Sequence, residues 1–289
     1  MTIPCPAKIN LTLEVLQRRD DGYHNLRSLM VPLALADELT IEPAGAFSFA
    51  CDDASLENEQ NLAVRACRAI DPEARVAVRL RKHVPSQAGL GGGSSDAASV
   101  LLAAMQGAFG RMYRVDWLGI ARSLGSDVPF FLAESGALVE GTGERVTAVG
   151  ALPPWHVLVV KPPAAVATAA AYAKLDEQPR PARPRNASDS LASLTALQRG
   201  DFAEVERLLG NDFNDVIAGD TPEVARALDA LRAAGARNAL LCGSGSAVFT
   251  LAQDAAAIDA VNARLDLDAS YLRFTTHFAQ SNAWRGTIA

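Results

Sequence analysis

The sequence predicts an α+β fold in two domains, and three observations carry that prediction. At 289 residues the chain is about twice the length of an ordinary domain of roughly 150 residues. Apolar side chains recur with period two in some segments and with helical period in others, as runs of strands with helices between them. Pro153-Pro154 interrupts the pattern, and a second set of elements follows it, which divides the chain into residues 1–150 and 151–289.

In the first set, Ile9, Leu11, Leu13 and Val15 alternate with Lys8, Asn10, Thr12 and Glu14, the pattern of a half-buried strand with Lys8 and Asn10 on one face. Further strands are expected at Glu38–Glu42, Phe47–Cys51, Val76–Arg81, Ala137–Glu140 and Val146–Val149, with helices at Asn61–Ile70, Ser94–Met105 and Asp116–Ser123. The second set opens with the apolar run Trp155–Val160 and continues with helices near Thr168–Leu175, Phe202–Leu209 and Pro222–Ala234. Strands at Ala239–Cys242 and Val248–Leu251, a helix at Ala255–Leu265 and a strand at Tyr271–Thr276 complete it. The prolines and arginines of Glu177–Arg185 predict an exposed loop between them.

Composition narrows the function classes. With 33 acidic and 27 basic side chains the net charge is −6, which argues against non-specific nucleic-acid or anionic-membrane binding while allowing a local pocket for phosphates. The four cysteines, Cys5, Cys51, Cys67 and Cys242, form no C-x-x-C pair, and the four histidines are equally scattered, so neither a zinc cluster nor a disulfide framework is expected. The opening Met1-Thr2-Ile3-Pro4 lacks a basic region followed by an apolar stretch, and the other apolar runs end well before the roughly 18 residues of a membrane helix. A cytoplasmic protein in a reducing compartment is expected.

The segment Ala88-Gly89-Leu90-Gly91-Gly92-Gly93-Ser94-Ser95-Asp96 runs directly into a helical pattern. Glycines let backbone N–H groups approach a phosphate, and the first helical turn adds unpaired N–H groups with partial positive charge. Ser94 follows Gly93 where a Walker A loop needs Lys, and it also occupies the last glycine of a Rossmann fingerprint counted from Gly89. A phosphate cradle of another type, or a flexible turn with a serine cap, remains.

Together, Pro6-Ala7-Lys8-Ile9-Asn10-Leu11, Gly22-Tyr23-His24, Gly89–Ala97, Ser126-Asp127-Val128-Pro129-Phe130-Phe131 and Gly243-Ser244-Gly245 resemble the GHMP kinase superfamily over nearly the whole chain. The opening differs from the Ser-Ala-Asn-Leu-Gly type of homoserine kinases and from the Pro-Gly-Lys or Pro-Gly-Arg type of mevalonate and galactose kinases. Pro85-Ser86-Gln87-Ala88 departs from the glycines that often precede the loop in such kinases.

The resemblance implies an S5-like nucleotide-binding domain, a ferredoxin-like second domain and an active site in the cleft between them. It implies ATP with Mg²⁺, and as acceptor the 2-hydroxyl of a methylerythritol alcohol with a cytidine diphosphate head group, a step toward isoprenoid precursors. Asp127 is then the base, and Lys8 orients it and stabilises transition-state charge. Gly89, Leu90, Gly91, Gly92, Gly93, Ser94 and Ser95 surround the phosphates, with Asn61 beside the adenine. Tyr23, His24 and Tyr172 hold the cytidine, Asn10 and Thr168 are further substrate contacts, and Gly243 and Ser244 reach the phosphates from the second domain.

By residue type alone Asp127 also suits a turn or cap, Lys8 a solvated face, Asn61 a helix cap, and Tyr23, His24 and Tyr172 ordinary packing. No dedicated magnesium carboxylate is assigned; the hydroxyls of Ser94 and Ser95 offer oxygen for a magnesium contact. Monomer and homodimer are both compatible with the sequence. The competing class is a catalytically silent binding protein on the same fold, which would need neither Lys8 nor Asp127 in this relation.

Overall fold

A computed structural model describes residues 1–133, 135–178 and 189–280. Arg180, Arg183 and Arg185 of the expected loop lie outside the described residues. The elements in order are β1 (Thr2–Arg18), β2 (His24–Pro43), β3 (Ser48–Cys51), α1 (Leu62–Ile70), β4 (Val76–Arg81), α2 (Gly92–Met105), α3 (Trp117–Leu124) and α4 (Val128–Leu132). Next come β5 (Gly136–Gly141), β6 (Arg145–Gly150), β7 (His156–Lys161), α5 (Thr168–Glu177), α6 (Ser190–Gln198), α7 (Phe202–Leu208) and β8 (Gly210–Asn211). The chain continues through α8 (Asn214–Asp220), α9 (Pro222–Ala233), β9 (Leu240–Leu241), β10 (Val248–Ala252), α10 (Ala255–Arg264) and β11 (Leu272–His277).

Two sheets organise these elements. The first has the order β3-β4-β2-β1-β8, with β5 pairing β2 and β6 pairing β5. The second has the order β11-β7-β10-β9, and its neighbours are all antiparallel. The chain passes from one sheet to the other after β6, and β8 alone returns to pair in parallel with β1 through Thr12 and Leu13.

Three apolar cores result. Ile3 and Cys5 of β1 pack with α1, α2, α3 and α4; Ala7, Ile9 and Leu11 pack against Trp155, Val157, Val159 and Phe249; Leu13 and Val15 join Leu158, Val160 and the helices α5, α8, α9 and α10. Strand β1 thus crosses all three cores. Its expected polar, solvated face is corrected: Lys8, Asn10 and Thr12 are all buried. Side chains of an antiparallel strand stay wet on one face only where nothing covers that face, and here both are covered.

Several elements depart from the periodic reading. The expected strand at Glu38–Glu42 is the end of the 20-residue β2, whose Leu29, Met30, Val31 and Leu33 are buried in succession and so show no alternation. The short α4, the two-residue β8, and the helices α6 and α8 were not expected. A five-residue helix and a two-residue strand are too short to display a period.

Candidate active site

Two register shifts in the β1–β2 ladder, between Pro6 and Lys8 and between Asn10 and Thr12, bracket the strand segment that carries Lys8 and Asn10. Such irregularities re-aim side chains beside functional sites. Lys8 and Asn10 project from this stretch toward a cavity of about 900 Å³ that elements of both halves enclose. The Lys8 ammonium donates to Asn10 Oδ1 at 2.9 Å, and Asn10 Nδ2 donates to Ser28 Oγ at 2.8 Å. Ser28 in turn donates to the Thr12 carbonyl at 2.6 Å, so the row is fixed from strand to strand.

Asp127 faces Lys8, with Oδ2 3.5 Å from Nζ. It occupies the N-cap position of α4 but makes no capping hydrogen bond with its side chain. The carboxylate is therefore available to the cavity, and it is 38% exposed while the Lys8 side chain is 4% exposed. The backbone behind Asp127 is held by the β5–β6 turn: a Cβ at Gly143 would lie 2.3 Å from the Ser126 carbonyl oxygen.

The glycine loop docks on the same strand through Lys8 N–H, which donates to the Leu90 carbonyl at 2.8 Å. Gly89 and Gly91 have φ of +74° and +71°, and Gly91 is the N-cap of α2 with no side-chain cap. The α2 N–H groups thus open toward the cavity, an arrangement suited to an anion. Gly243, at φ +53°, brings the second-half turn so close that a Cβ there would be 3.0 Å from Gly89 O and 3.1 Å from Lys8 Nζ. Asn211 fastens this turn by donating to the Leu241 and Gly243 carbonyls at 2.9 and 2.7 Å. Ser244 Oγ meets Thr168 Oγ1 at 3.1 Å, which joins the turn to the start of α5.

At the other end of the cavity, His24 is buried and its Nε2 lies 2.9 Å from Asp176 Oδ1. The Tyr172 ring stacks on His24 at 5.2 Å and 13°, and meets Phe213 edge-on at 4.9 Å. Tyr23 is 65% exposed at the mouth. Asn61 caps α1, accepting from Ala63 N–H at 2.9 Å and donating to the Leu56 carbonyl at 3.0 Å, while also lining the cavity.

Lys8, Asn10, Tyr23, His24, Asn61, Gly89 to Ser94, Asp127, Thr168, Tyr172, Gly243 and Ser244 all line this one cavity. Ser95 does not: its side chain is fully buried beneath α2, and its Oγ has no hydrogen-bond partner. Residues outside the motifs also shape the site, notably Ser28, Asp176, Asn211, Phe213, and Asp37 and Lys82, which form a trio with Asp96 of the glycine-loop motif. Lys82 bridges Asp37 and Asp96, at 2.9 Å from Asp96 Oδ2. Burial pushes the Asp96 carboxyl up to about 7, with the Lys82 charge opposing and Asp37 reinforcing the rise. Burial acts to lower the Lys82 ammonium, but the two carboxylates overcome it and raise the group to about 12. Cys242, beside the second-half turn, is pushed up to about 12 by burial and is no nucleophile at neutral pH.

The family comparisons agree with one another. A model of the GHMP kinases N terminal domain matches residues 61–135, and one of the GHMP kinases C terminal matches residues 193–267. The 4-diphosphocytidyl-2-C-methyl-D-erythritol kinase of Deinococcus radiodurans is 44% identical over 269 residues, covering 90% of this chain and 87% of the relative. The enzyme of the same name from Symbiobacterium thermophilum is 40% identical over 270 residues, covering 88% and 91%. A crystal structure of 4-(cytidine 5'-diphospho)-2C-methyl-D-erythritol kinase superposes with a TM-score of 0.75 at 35% identity, covering 96% of this chain and all of that one. Homoserine kinase from Cytophaga hutchinsonii shares the fold alone, with a TM-score of 0.68 at 16% identity over 96% and 94% of the two chains. With both domain models matched in order and relatives this similar over nearly their full length, the chain belongs to the GHMP kinases, in the family of 4-diphosphocytidyl-2-C-methyl-D-erythritol kinases.

Proposed function

We propose that this chain is an ATP-dependent kinase that transfers the γ-phosphoryl group to the 2-hydroxyl of 4-diphosphocytidyl-2-C-methyl-D-erythritol, a step of isoprenoid precursor synthesis. The observation that carries the reading is the Lys8–Asp127 contact of 3.5 Å beside the glycine loop. Phosphoryl transfer needs an aligned hydroxyl, an acceptor for its proton and positive charge near the transferring oxygens. Asp127 accepts the hydroxyl proton as the oxygen attacks the γ-phosphorus; the bond to the β-phosphate oxygen breaks, and ADP leaves with that electron pair. Lys8 is held by Asn10, so its charge is oriented before substrate arrives.

The N–H groups of Gly89 to Ser94 and the start of α2 receive the phosphates, with Asn61 on the adenine side. His24, Tyr23 and Tyr172 form the pocket for the cytidine head group; aromatic faces select a planar base. Asn10, Thr168, Gly243 and Ser244 line the path between the two ends. Ser94 is an oxygen donor on the cavity wall, a chemistry that fits Mg²⁺, which prefers oxygen and keeps several waters. Bound with the nucleotide, Mg²⁺ would neutralise phosphate charge. Ser95, turned into the core, is not assigned to it.

A division near residue 150 is supported by the passage between sheets after β6 and by domain models on either side of it. No helix among the described residues is long and apolar enough to cross a membrane. The cysteines are free and buried, which suits a reducing cytoplasm. Monomer and homodimer are equally compatible with this reading.

The test is ³¹P NMR of purified protein with Mg-ATP and the diphosphocytidyl alcohol. A new phosphomonoester resonance is expected, with turnover reduced about 10²- to 10⁴-fold in Asp127→Asn. Near-normal turnover in a folded Asp127→Asn protein excludes that base. No product from a wild type that binds nucleotide rejects the substrate.

A further inference from the structure

The ten residues between β4 and α2 form one wall of the cavity without regular structure, and they lead directly into the glycine loop. Irregular backbone of this kind keeps its shape only if its polar groups are tied elsewhere. Three successive N–H groups at its start are accepted by carboxylates: Lys82 N–H by Asp52 at 2.8 Å, and His83 and Val84 N–H by the same Asp37 Oδ1 at 2.6 and 2.7 Å. The other oxygen of Asp37 accepts from the Lys82 ammonium, which also reaches Asp96 in the first turns of α2.

Asp37 is itself buried at 1% exposure, comes from the second half of β2, and does not line the cavity. It therefore acts through what it holds. Val84, fixed by Asp37, packs so tightly on the start of α2 that a Cβ at Gly92 would lie 3.1 Å from Val84 Cγ1 and 3.4 Å from Asp37 Oδ2. One carboxylate thus sets both the approach to the glycine loop and the seat of the helix whose N–H groups open toward the cavity. Only an ionised carboxylate matches the donors: three N–H groups, one of them cationic, converge on two oxygens, and an amide would turn an NH₂ toward one of them.

We propose that Asp37 is a positioning residue for the nucleotide, setting the wall from Lys82 to Gly92 without touching substrate. The proposal rests on the reading that the glycine loop binds ATP. It assigns Asp37 no part at the head-group end, where His24 and Tyr172 sit on other elements.

The experiment measures binding of the non-hydrolysable analogue AMP-PNP and, separately, of cytidine 5'-diphosphate by calorimetry, in wild type and Asp37→Asn, beside steady-state turnover. Loss of a charge-assisted bond at this point should weaken AMP-PNP about tenfold and raise the KM for ATP in step. Cytidine diphosphate affinity should stay within about twofold. An unchanged AMP-PNP affinity in the folded variant, or equal weakening of both ligands, overturns the proposal. If Asp37→Asn does not fold, Asp37→Glu, which keeps the charge for Lys82 but shifts the oxygen away from the His83 and Val84 N–H groups, is read by the same criteria. Wild type that binds AMP-PNP but fails to phosphorylate the diphosphocytidyl alcohol counts against the substrate and leaves the Asp37 comparison intact; wild type that binds no AMP-PNP overturns both.

Discussion

Gly89→Ala tests whether the site is assembled by direct contact between the glycine loop and the second-half turn. A Cβ at position 89 would lie 1.9 Å from the Cys242 carbonyl oxygen and 3.0 Å from Gly245 N, both backbone atoms. Reaching ordinary contact at 3.4 Å means parting the two backbones by about 1.5 Å. The loop has little freedom to yield, because Ala88 O accepts from Ala247 N–H at 3.1 Å and Leu90 O accepts from Lys8 N–H at 2.8 Å on either side of it. Residue 89 also has φ +74°, where a Cβ costs roughly 1–2 kcal/mol. Adding about 1 kcal/mol for one of the flanking hydrogen bonds gives a destabilisation of ~2–3 kcal/mol. In a chain of 289 residues that is a fall in Tm of about 3–5 °C. Misplacing the phosphate loop by more than an ångström should lower kcat by about 10²-fold. Calorimetric melts and a coupled ADP-release assay read the two effects. Gly45→Ala, at an exposed position with no atom within 4 Å, is the control and should alter neither. A Gly89→Ala protein with wild-type Tm and kcat within about twofold would falsify the view that this contact holds the site together.

Two further outcomes follow from the site. Tyr172→Ala removes the ring that stacks on His24 and should raise the KM for the diphosphocytidyl substrate about tenfold or more while leaving the KM for ATP unchanged, as read by steady-state kinetics. Equal KM values for the alcohol in both proteins would remove Tyr172 from the head-group pocket. Asp96 titrates at about 7 in the folded protein, above the ordinary carboxylate value of 3.8, so folding favours its protonated form. Its stabilising contribution is therefore complete below the ordinary carboxylate range and is lost as pH rises through about 7. Melts from pH 5 to pH 8 should show wild type losing more Tm than Asp96→Asn, and a wild type that gains relative to the variant over that range contradicts the assignment.

Much of the architecture was legible: α1, α9 and β4 keep the period of one-sided burial, and α2, α10 and β10 also fall within a few residues of the expected spans. What failed did so for physical reasons. Strand β2 is buried on both faces through Leu29, Met30, Val31 and Leu33, so no alternation marks it. Strand β8 is two residues held by a tertiary pairing, and no local pattern encodes a partner some 200 positions away. The charged trio was illegible for the same reason. Asp37, Lys82 and Asp96 come from the second half of one strand, the residue after another and the start of a helix; Asp37 and Lys82 alone read as surface charges, and the motif that holds Asp96 names no partner for it. Asn211 and Asp176 act through a turn and a histidine distant in sequence, so their types carried no signal.

The bland alternatives separate in an instructive way once geometry is available. Asn61 does cap α1 with its side chain and lines the cavity as well, so a capping role and a ligand-facing role coexist in one residue. Asp127 stands at an N-cap and does not cap. A carboxylate that forgoes the N–H groups of its own helix gives up a favourable interaction at its terminus, and it is oriented instead toward an ammonium that is itself almost fully buried. Burying the Lys8 charge is costly unless it is paired, and Asn10 and Asp127 are the partners the fold supplies. Strand β1 crosses three cores, so Lys8 cannot follow a moving loop; the glycine loop, the Asp127 turn and the Gly243 turn are instead brought to it. Each makes that approach with a glycine where a Cβ would collide, at Gly89 in the loop and Gly143 behind Ser126, or crowd its neighbour, at Gly91 in the loop and Gly243 against Lys8 itself. The charges thus come from a rigid strand and one helix start, and the glycines allow separate parts of the chain to close around them.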